Sequence, residues 1–140
     1  MVNTRFLLDT NIVSNLVRPQ PNSGIQENFN DKAAWCAMPA PVWHELVFGC
    51  YRLPESKKRR TIEAFLFEFL GPSLPVLSYS KEAADWHARE RARLTAIGTP
   101  PPYIDGQVAA IARTEKLIVV TVNVKDFEGF EGLVVENWKT

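Results

Sequence analysis

Three acids in this chain stand where strands give way to helices, and acids in such places can hold a hard cation. Asp9 ends the apolar run from Val2 to Leu8. Glu45 lies in Val42-Trp43-His44-Glu45-Leu46-Val47. Asp105 opens Asp105-Gly106-Gln107-Val108-Ala109-Ala110. A fourth polar position follows the run from Leu117 to Val122, at Asn123 or Asp126. Carboxylates that converge repel one another and take up protons unless a cation neutralises them. Hard divalent cations prefer oxygen ligands, and Mg²⁺ takes a few carboxylates and keeps several waters. A cation so held polarises a phosphoryl oxygen and lowers the pKa of a bound water. Zinc catalysis does not suit the sequence, since neither His44 nor His87 has a partner at ligand spacing.

Each acid taken singly has an ordinary structural use. Aspartate is a favoured helix N-cap, which would account for Asp9. Most glutamates are solvated, which would account for Glu45. Negative charge suits the first turn of a helix, the place expected for Asp105. Asp126 fits a turn before Phe127. The functional reading therefore rests on the set and on where its members fall along the chain.

The elements that must position these acids alternate. The sequence predicts strands over Val2–Leu8, Ala33–Met38, Leu74–Leu77, Leu117–Val122 and Leu133–Val135. The Leu117–Val122 run is the most β-like and is expected as a central strand. Helical spacing begins at Asp9-Thr10-Asn11 with Ile12, Val13, Leu16 and Val17, and a short helix is expected over Ile25–Asn30. Pro39-Ala40-Pro41 is read as a break, with a helix from Val42 carrying Glu45, Leu46, Val47 and Cys50. Lys57–Leu70 reads as a helix with Ile62, Phe65, Leu66 and Phe69 on one side, ended by Gly71-Pro72. A helix from Ser80 to about Ile97 stops at Gly98. Tyr103–Thr114 follows, with Ile104, Val108, Ile111 and Ala112 inward. Alternation of this kind implies an α/β fold with a mainly parallel sheet covered on both faces. In such sheets ligands bind beyond the carboxyl ends of the strands, where Asp9, Asn123 and Asp126 fall.

With 140 residues, 46% hydrophobic and 23% charged, the chain has globular composition and suits one domain spanning residues 1–140. Sixteen basic residues balance sixteen acidic ones, so no global field favours nucleic acid. No apolar run approaches the roughly 20 residues of a membrane helix, and the start lacks a signal-peptide pattern, so the cytoplasm is expected. Cys36 and Cys50 are expected as buried free thiols.

The four segments together resemble the motifs of PIN-domain nucleases. Leu7-Leu8-Asp9-Thr10-Asn11-Ile12 is similar to the opening strand and acid of that family. Val42-Trp43-His44-Glu45-Leu46-Val47-Phe48-Gly49 resembles the second motif, and Asp105-Gly106-Gln107-Val108-Ala109-Ala110-Ile111-Ala112 the third. Thr121-Val122-Asn123-Val124-Lys125-Asp126-Phe127 resembles the fourth, although many relatives carry arginine where Val122 stands and some carry an acid where Asn123 stands. The likeness is greatest to VapC-like toxins of toxin–antitoxin pairs. It implies a three-layer α/β/α sandwich and Mg²⁺- or Mn²⁺-dependent endonucleolytic cleavage of RNA, often tRNA. It also implies a small antitoxin partner, a homodimer and toxin–antitoxin hetero-oligomers. On this likeness Asp9, Glu45 and Asp105 hold the metal, Asp126 or Asn123 completes the site, and Thr10, Asn11 and Thr121 position ligands or water.

Other features are open to two readings. Lys57-Lys58-Arg59-Arg60 is either a solvated helix face or a contact for RNA phosphates. Arg89, Arg91 and Arg93 carry the same pair of readings. Trp35, Trp43, Trp86 and Phe48 belong to a core or stack on bases or a partner helix. The Val42–Tyr51 and Lys57–Leu70 helices would together form a groove for an amphipathic segment. An inactive PIN-like module that holds RNA or protein is the alternative function. A phosphotransferase with Asp9 as nucleophile is disfavoured, because Asn11 stands where a second acid is usual.

Overall fold

The computed structural model describes residues 3–140. Strand β1 (Phe6–Leu8) is followed by α1 (Thr10–Val17), α2 (Ser23–Lys32), a 3-10 turn (Ala33–Trp35), β2 (Cys36–Pro39) and α3 (Ala40–Tyr51). Helix α4 (Lys57–Ala64) runs on through a π-helical segment (Phe65–Leu70) into the short α5 (Gly71–Ser73), before β3 (Val76–Leu77). The second half holds α6 (Lys81–Ala96), α7 (Tyr103–Glu115), β4 (Ile118–Val120), a 3-10 turn (Val124–Phe127) and β5 (Val135–Glu136).

The five strands pair in parallel in the order β3-β2-β1-β4-β5, which makes the sheet wholly parallel. Helices cover both faces, giving an α/β/α sandwich. Two covered faces explain why β1 and β2 are buried at every residue instead of alternating. The core continues into the helices through Ile12, Val13, Val42, Leu66, Leu70, Val108 and Ile111. Cys36 and Cys50 are buried free thiols, as expected.

The strands are shorter than the apolar runs that announce them. Of the run from Val2 to Leu8, Phe6–Leu8 is strand, and Val2 lies outside the described residues. Ala33–Trp35 turns as 3-10 helix before the second strand starts at Cys36. Pro39 and Pro41 do not break the chain. Pro39 ends β2 and caps α3, and Pro41 sits in the first turn of α3, where a missing N–H costs nothing.

The expected stop at Gly71-Pro72 is also corrected, because the helical rod reaches Ser73. Phe69 does not face inward with Leu66; it is 55% exposed while Leu70 is buried. The π-helical segment is the cause. Its wider turn brings the fourth or fifth residue, not the third, back over Leu66. By contrast α6 stops as expected, with Gly98 at φ 83° and Thr99 N–H donating to Leu94 O at 2.8 Å.

The strand order fixes where a site can form. From β1 the chain steps outward to β2 and β3, then returns to the other side of β1 for β4 and β5. The crevice beyond the carboxyl ends of β1 and β4 is the topological switch point. Asp9 leaves β1 there, and Thr121 leaves β4 beside it.

Candidate active site

At the switch point lies an open cavity of about 450 Å³, lined by Asp9, Thr10, Asn11, Ser14, Glu45, Ile104, Asp105 and Asn123. Three elements bring the acids to it. Asp9 caps α1, Glu45 lies one turn into α3, and Asp105 lies in the first turn of α7. Helix α3 packs against both α1 and α7, so the three acids belong to one packed unit.

Asp9 combines its ordinary use with a place on the cavity wall. Its Oδ1 accepts from Thr10 N–H at 2.9 Å, which caps α1. Its Oδ2 accepts from the buried Thr121 hydroxyl at 2.9 Å. Asn11 ties the two loops together, donating from Nδ2 to Thr121 Oγ1 at 3.2 Å while its Oδ1 accepts from Val122 N–H at 3.1 Å. Asn123 N–H donates to Thr121 Oγ1 at 3.1 Å. These bonds fix both oxygens of Asp9 before any ligand arrives.

Burial pushes the Asp9 carboxyl above its ordinary value, opposed by the bonds from Thr10 and Thr121, and the charge of Asp126 pushes it further up. Asp105 is pushed up to about 6, first by burial and then by the charges of Asp9 and Asp126. This is the condition of acids that lack a neutralising cation. The donors are all oxygen, which suits Mg²⁺ or Mn²⁺. Among the described residues no three acid, histidine or cysteine side chains converge closely enough to cage an ion. Mg²⁺ does not need such a cage, since one or two carboxylates with several waters satisfy it. The residues present therefore fit such an ion, with Asp9 and Asp105 as the coupled pair and Glu45 across the cavity.

A pH dependence follows. As a cation ligand Asp105 would have to shed its proton, so affinity is expected to be level above about pH 6 and to fall roughly tenfold per pH unit below it. A Mn²⁺ titration across that range checks this. Affinity that stays constant down to about pH 5 would remove Asp105 from the ligand set.

Asp126 and Asn123 part company. Both are exposed, but Asn123 lines the cavity, while Asp126 lies on the 3-10 turn outside that lining and reaches the site through its charge on Asp9 and Asp105. Sequence reasoning passed over Ser14, although it lies one helical turn beyond Thr10 and shares its face.

The basic runs divide by use. Arg59 is bound into the fold, donating to Glu63 Oε1 at 3.3 Å and Leu53 O at 3.2 Å and lying over the Tyr51 ring. Lys57 and Lys58 instead border a second cavity, of about 640 Å³, with Ser14, Val17, Arg18, Pro19, Thr61 and Ile62. Arg93 is structural: it grips the buried Glu90, which also accepts from Glu131 N–H at 2.9 Å. Trp43 and Trp86 are half-buried, while Trp35 and Phe48 are exposed.

Comparison with known proteins agrees with this arrangement. The sequence matches the PIN domain family over residues 6–131. It is 32% identical over 136 residues to the tRNA(fMet)-specific endonuclease VapC of Shigella flexneri, covering 96% of this chain and 98% of that one. The fold superposes on DNA-bound VapBC from Salmonella typhimurium with a TM-score of 0.84 at 30% identity, covering 96% and 98% of the two chains. FitAcB from Neisseria gonorrhoeae gives a TM-score of 0.87 at 27% identity, covering 94% and 96%. A family match that takes in Asp9, Glu45 and Asp105, joined to near full-length identity and the same fold, shows that this chain belongs to the PIN-domain family, in its VapC-like branch.

Proposed function

We propose that residues 1–140 form one Mg²⁺- or Mn²⁺-dependent endoribonuclease domain that acts in the cytoplasm as the toxin of a toxin–antitoxin pair. The observation that carries this reading is that Asp9, Glu45 and Asp105 all line one open cavity at the switch point of the sheet. When bound, the divalent ion would polarise the scissile phosphate and activate a water. Asp9 presents an oxygen already aimed by Thr10 and Thr121. Asp105 supplies the second carboxylate from α7, and Glu45 faces the cavity from α3. Asn11, Asn123 and Ser14 offer amide and hydroxyl groups that orient the RNA strand or a water. Asp126 adds negative charge from outside the wall, which strengthens the site's demand for a cation. The name of the Shigella flexneri relative makes tRNA the first substrate to try.

The cavities beside the acids support an antitoxin partner. A third cavity of about 240 Å³, walled by α1, α3 and the π-helical segment, shares Glu45 and Ser14 with the acid cavity. The Lys57 and Lys58 cavity shares Ser14 too. The groove expected between α3 and α4 thus has α1 as a further wall and runs to the acids. A partner segment with apolar side chains fits its floor of Val17, Leu46, Ile62 and Leu66, with an acidic end at the lysine rim and a basic side chain reaching the acids. VapBC is the name of a family of toxin–antitoxin systems, and FitB of Neisseria gonorrhoeae is named a toxin; a homodimer of this chain within such an assembly is part of the proposal.

The test is cleavage of total RNA and of tRNA by partner-free protein, with Mg²⁺ or Mn²⁺ against EDTA. Discrete fragments that need the metal are expected. Intact RNA in every metal-loaded reaction would overturn the nuclease reading.

A further inference from the structure

We propose that His87 is a positioning residue for Asp105: its ring, held on one edge by Tyr79, is the seat on which the first turn of α7 rests. The inference rests on the metal-dependent nuclease reading for its Mn²⁺ and activity measurements, and not for its exchange measurement.

The first turn of α7 needs such a seat. Its N-cap position is Pro102, which makes no side-chain capping bond, and the chain before it is Pro100-Pro101. Uncapped first turns fray readily, because their N–H groups lack partners. Yet Asp105 must hold its carboxylate against the repulsion of Asp9 and Asp126.

Two residues that flank Asp105 rest on one imidazole. The Tyr103 ring lies 5.1 Å from that of His87, centroid to centroid. Gly106 is in contact with the other edge, where a Cβ would collide with Nε2, Cδ2 and Cε1 of His87. Positions 103 and 106 are neighbours on one face of a helix, so His87 grips one whole turn. Asp105 lies between them in sequence and projects from a different face, towards the cavity.

The ring itself is held. Tyr79 Oη and His87 Nδ1 are 2.7 Å apart and share a hydrogen bond. Arg91, one turn further along α6, lies 5.3 Å over the Tyr103 ring and covers the stack. His87 is 2% exposed, and its Nε2 has no hydrogen-bond partner among the described residues. A buried polar nitrogen facing a glycine is a costly way to fill space. A leucine would fill it without that cost, but without the Tyr79 bond that fixes the ring. Gly106 then follows from His87: only a residue without Cβ lets α7 approach so closely.

Three variants decide the matter, with the Mn²⁺ affinity of folded protein as the main measurement. Gly106→Ala pushes the turn off the ring and should weaken Mn²⁺ binding on the order of tenfold or more, the range seen when the support of a metal ligand is lost. His87→Ala should weaken it in the same direction, and kcat for RNA should fall while KM moves less than about threefold. The double variant should be no worse than His87→Ala alone, because the collision is gone. Tyr79→Phe, which keeps the packing, should loosen the ring and give a smaller loss of affinity. Amide hydrogen exchange at Gly106, whose N–H donates to Pro102 O at 3.1 Å, should quicken in His87→Ala.

A merely structural histidine predicts otherwise: lower melting temperatures with Mn²⁺ affinity and kcat at wild-type levels. That result, or additive losses in the double variant, overturns the proposal. Unchanged exchange at Gly106 in His87→Ala overturns it whether or not the wild type cuts RNA. Wild-type protein that binds Mn²⁺ but cuts no RNA defeats the nuclease reading alone.

Discussion

Asp105→Asn should abolish RNA cleavage and at the same time make the metal-free protein more stable. The loss follows from removing one of the two coupled carboxylates at the cavity, with a fall in rate on the order of 10²–10³-fold, as when a fixed electrostatic contact to the reacting phosphate is lost. The gain in stability follows from the same electrostatics. Asp105 is pushed from 3.8 to about 6 in the fold. The folded state therefore holds this proton more tightly than the unfolded chain does. Its contribution is full below about pH 4, declines as pH rises to about 6, and is absent at neutral pH, where the charged form is penalised. Such a displacement corresponds to at most roughly 3 kcal/mol, and the partial solvation of the carboxyl reduces that to about 1–3 kcal/mol.

An amide of the same shape escapes the penalty. In EDTA at neutral pH, Asp105→Asn should melt roughly 3–9 °C above wild type, a difference that closes towards pH 4. Mn²⁺ should raise the wild-type midpoint and leave the variant nearly unmoved, because ligand binding stabilises only a fold that binds it. Thermal melts at the two pH values, with and without Mn²⁺, read all of this. A variant less stable than wild type at neutral pH in EDTA would mean that the site carries no stored repulsion at Asp105.

The same acids show what a sequence discloses and what it withholds. Asp9 was legible because a parallel strand covered on both faces must be apolar throughout, so the first charge marks its end. Glu45 and Asp105 were legible once the helices after β2 and before β4 were placed, since Glu45 lies one turn into the former and Asp105 in the first turn of the latter. The expectation of a break at Pro39 and Pro41 failed because proline obstructs a helix interior but not its start. The π-helical segment was hidden because Phe65-Leu66-Phe67-Glu68-Phe69-Leu70 is apolar at almost every position. No period can be read where nearly every residue qualifies, and the inward residue is then decided by backbone geometry alone. His87 was invisible as a partner of Gly106 because that contact joins two helices, and no local spacing encodes it. The sequence left Asn123 and Asp126 as alternatives because both flank a 3-10 turn whose course no local spacing encodes; Asn123, before the turn, lines the cavity, and Asp126, within it, does not.

Asp9 poses the sharpest test, because its two uses can be separated by a single atom. Asp9→Asn retains Oδ1 in place to accept from Thr10 N–H, so the cap on α1 survives. What it removes is the charge and the oxygen that accepts from Thr121. The lost bond is offset by relief of a carboxylate that burial already pushes up, so the melting temperature should stay within a few degrees of wild type. Asp9→Ala removes the cap and also leaves the buried Thr121 hydroxyl without its acceptor, at a combined cost of about 1–3 kcal/mol. Both variants should lose cleavage by on the order of 10²–10³-fold, while only alanine loses substantial stability. The pattern matters more than either value. If helix capping were the whole use of Asp9, activity would follow stability, and Asp9→Asn would cut RNA nearly as well as wild type. Equal loss of cleavage in a cap-competent and a cap-deficient variant places the carboxylate in the chemistry, and rates measured beside melting curves on the same preparations distinguish the two.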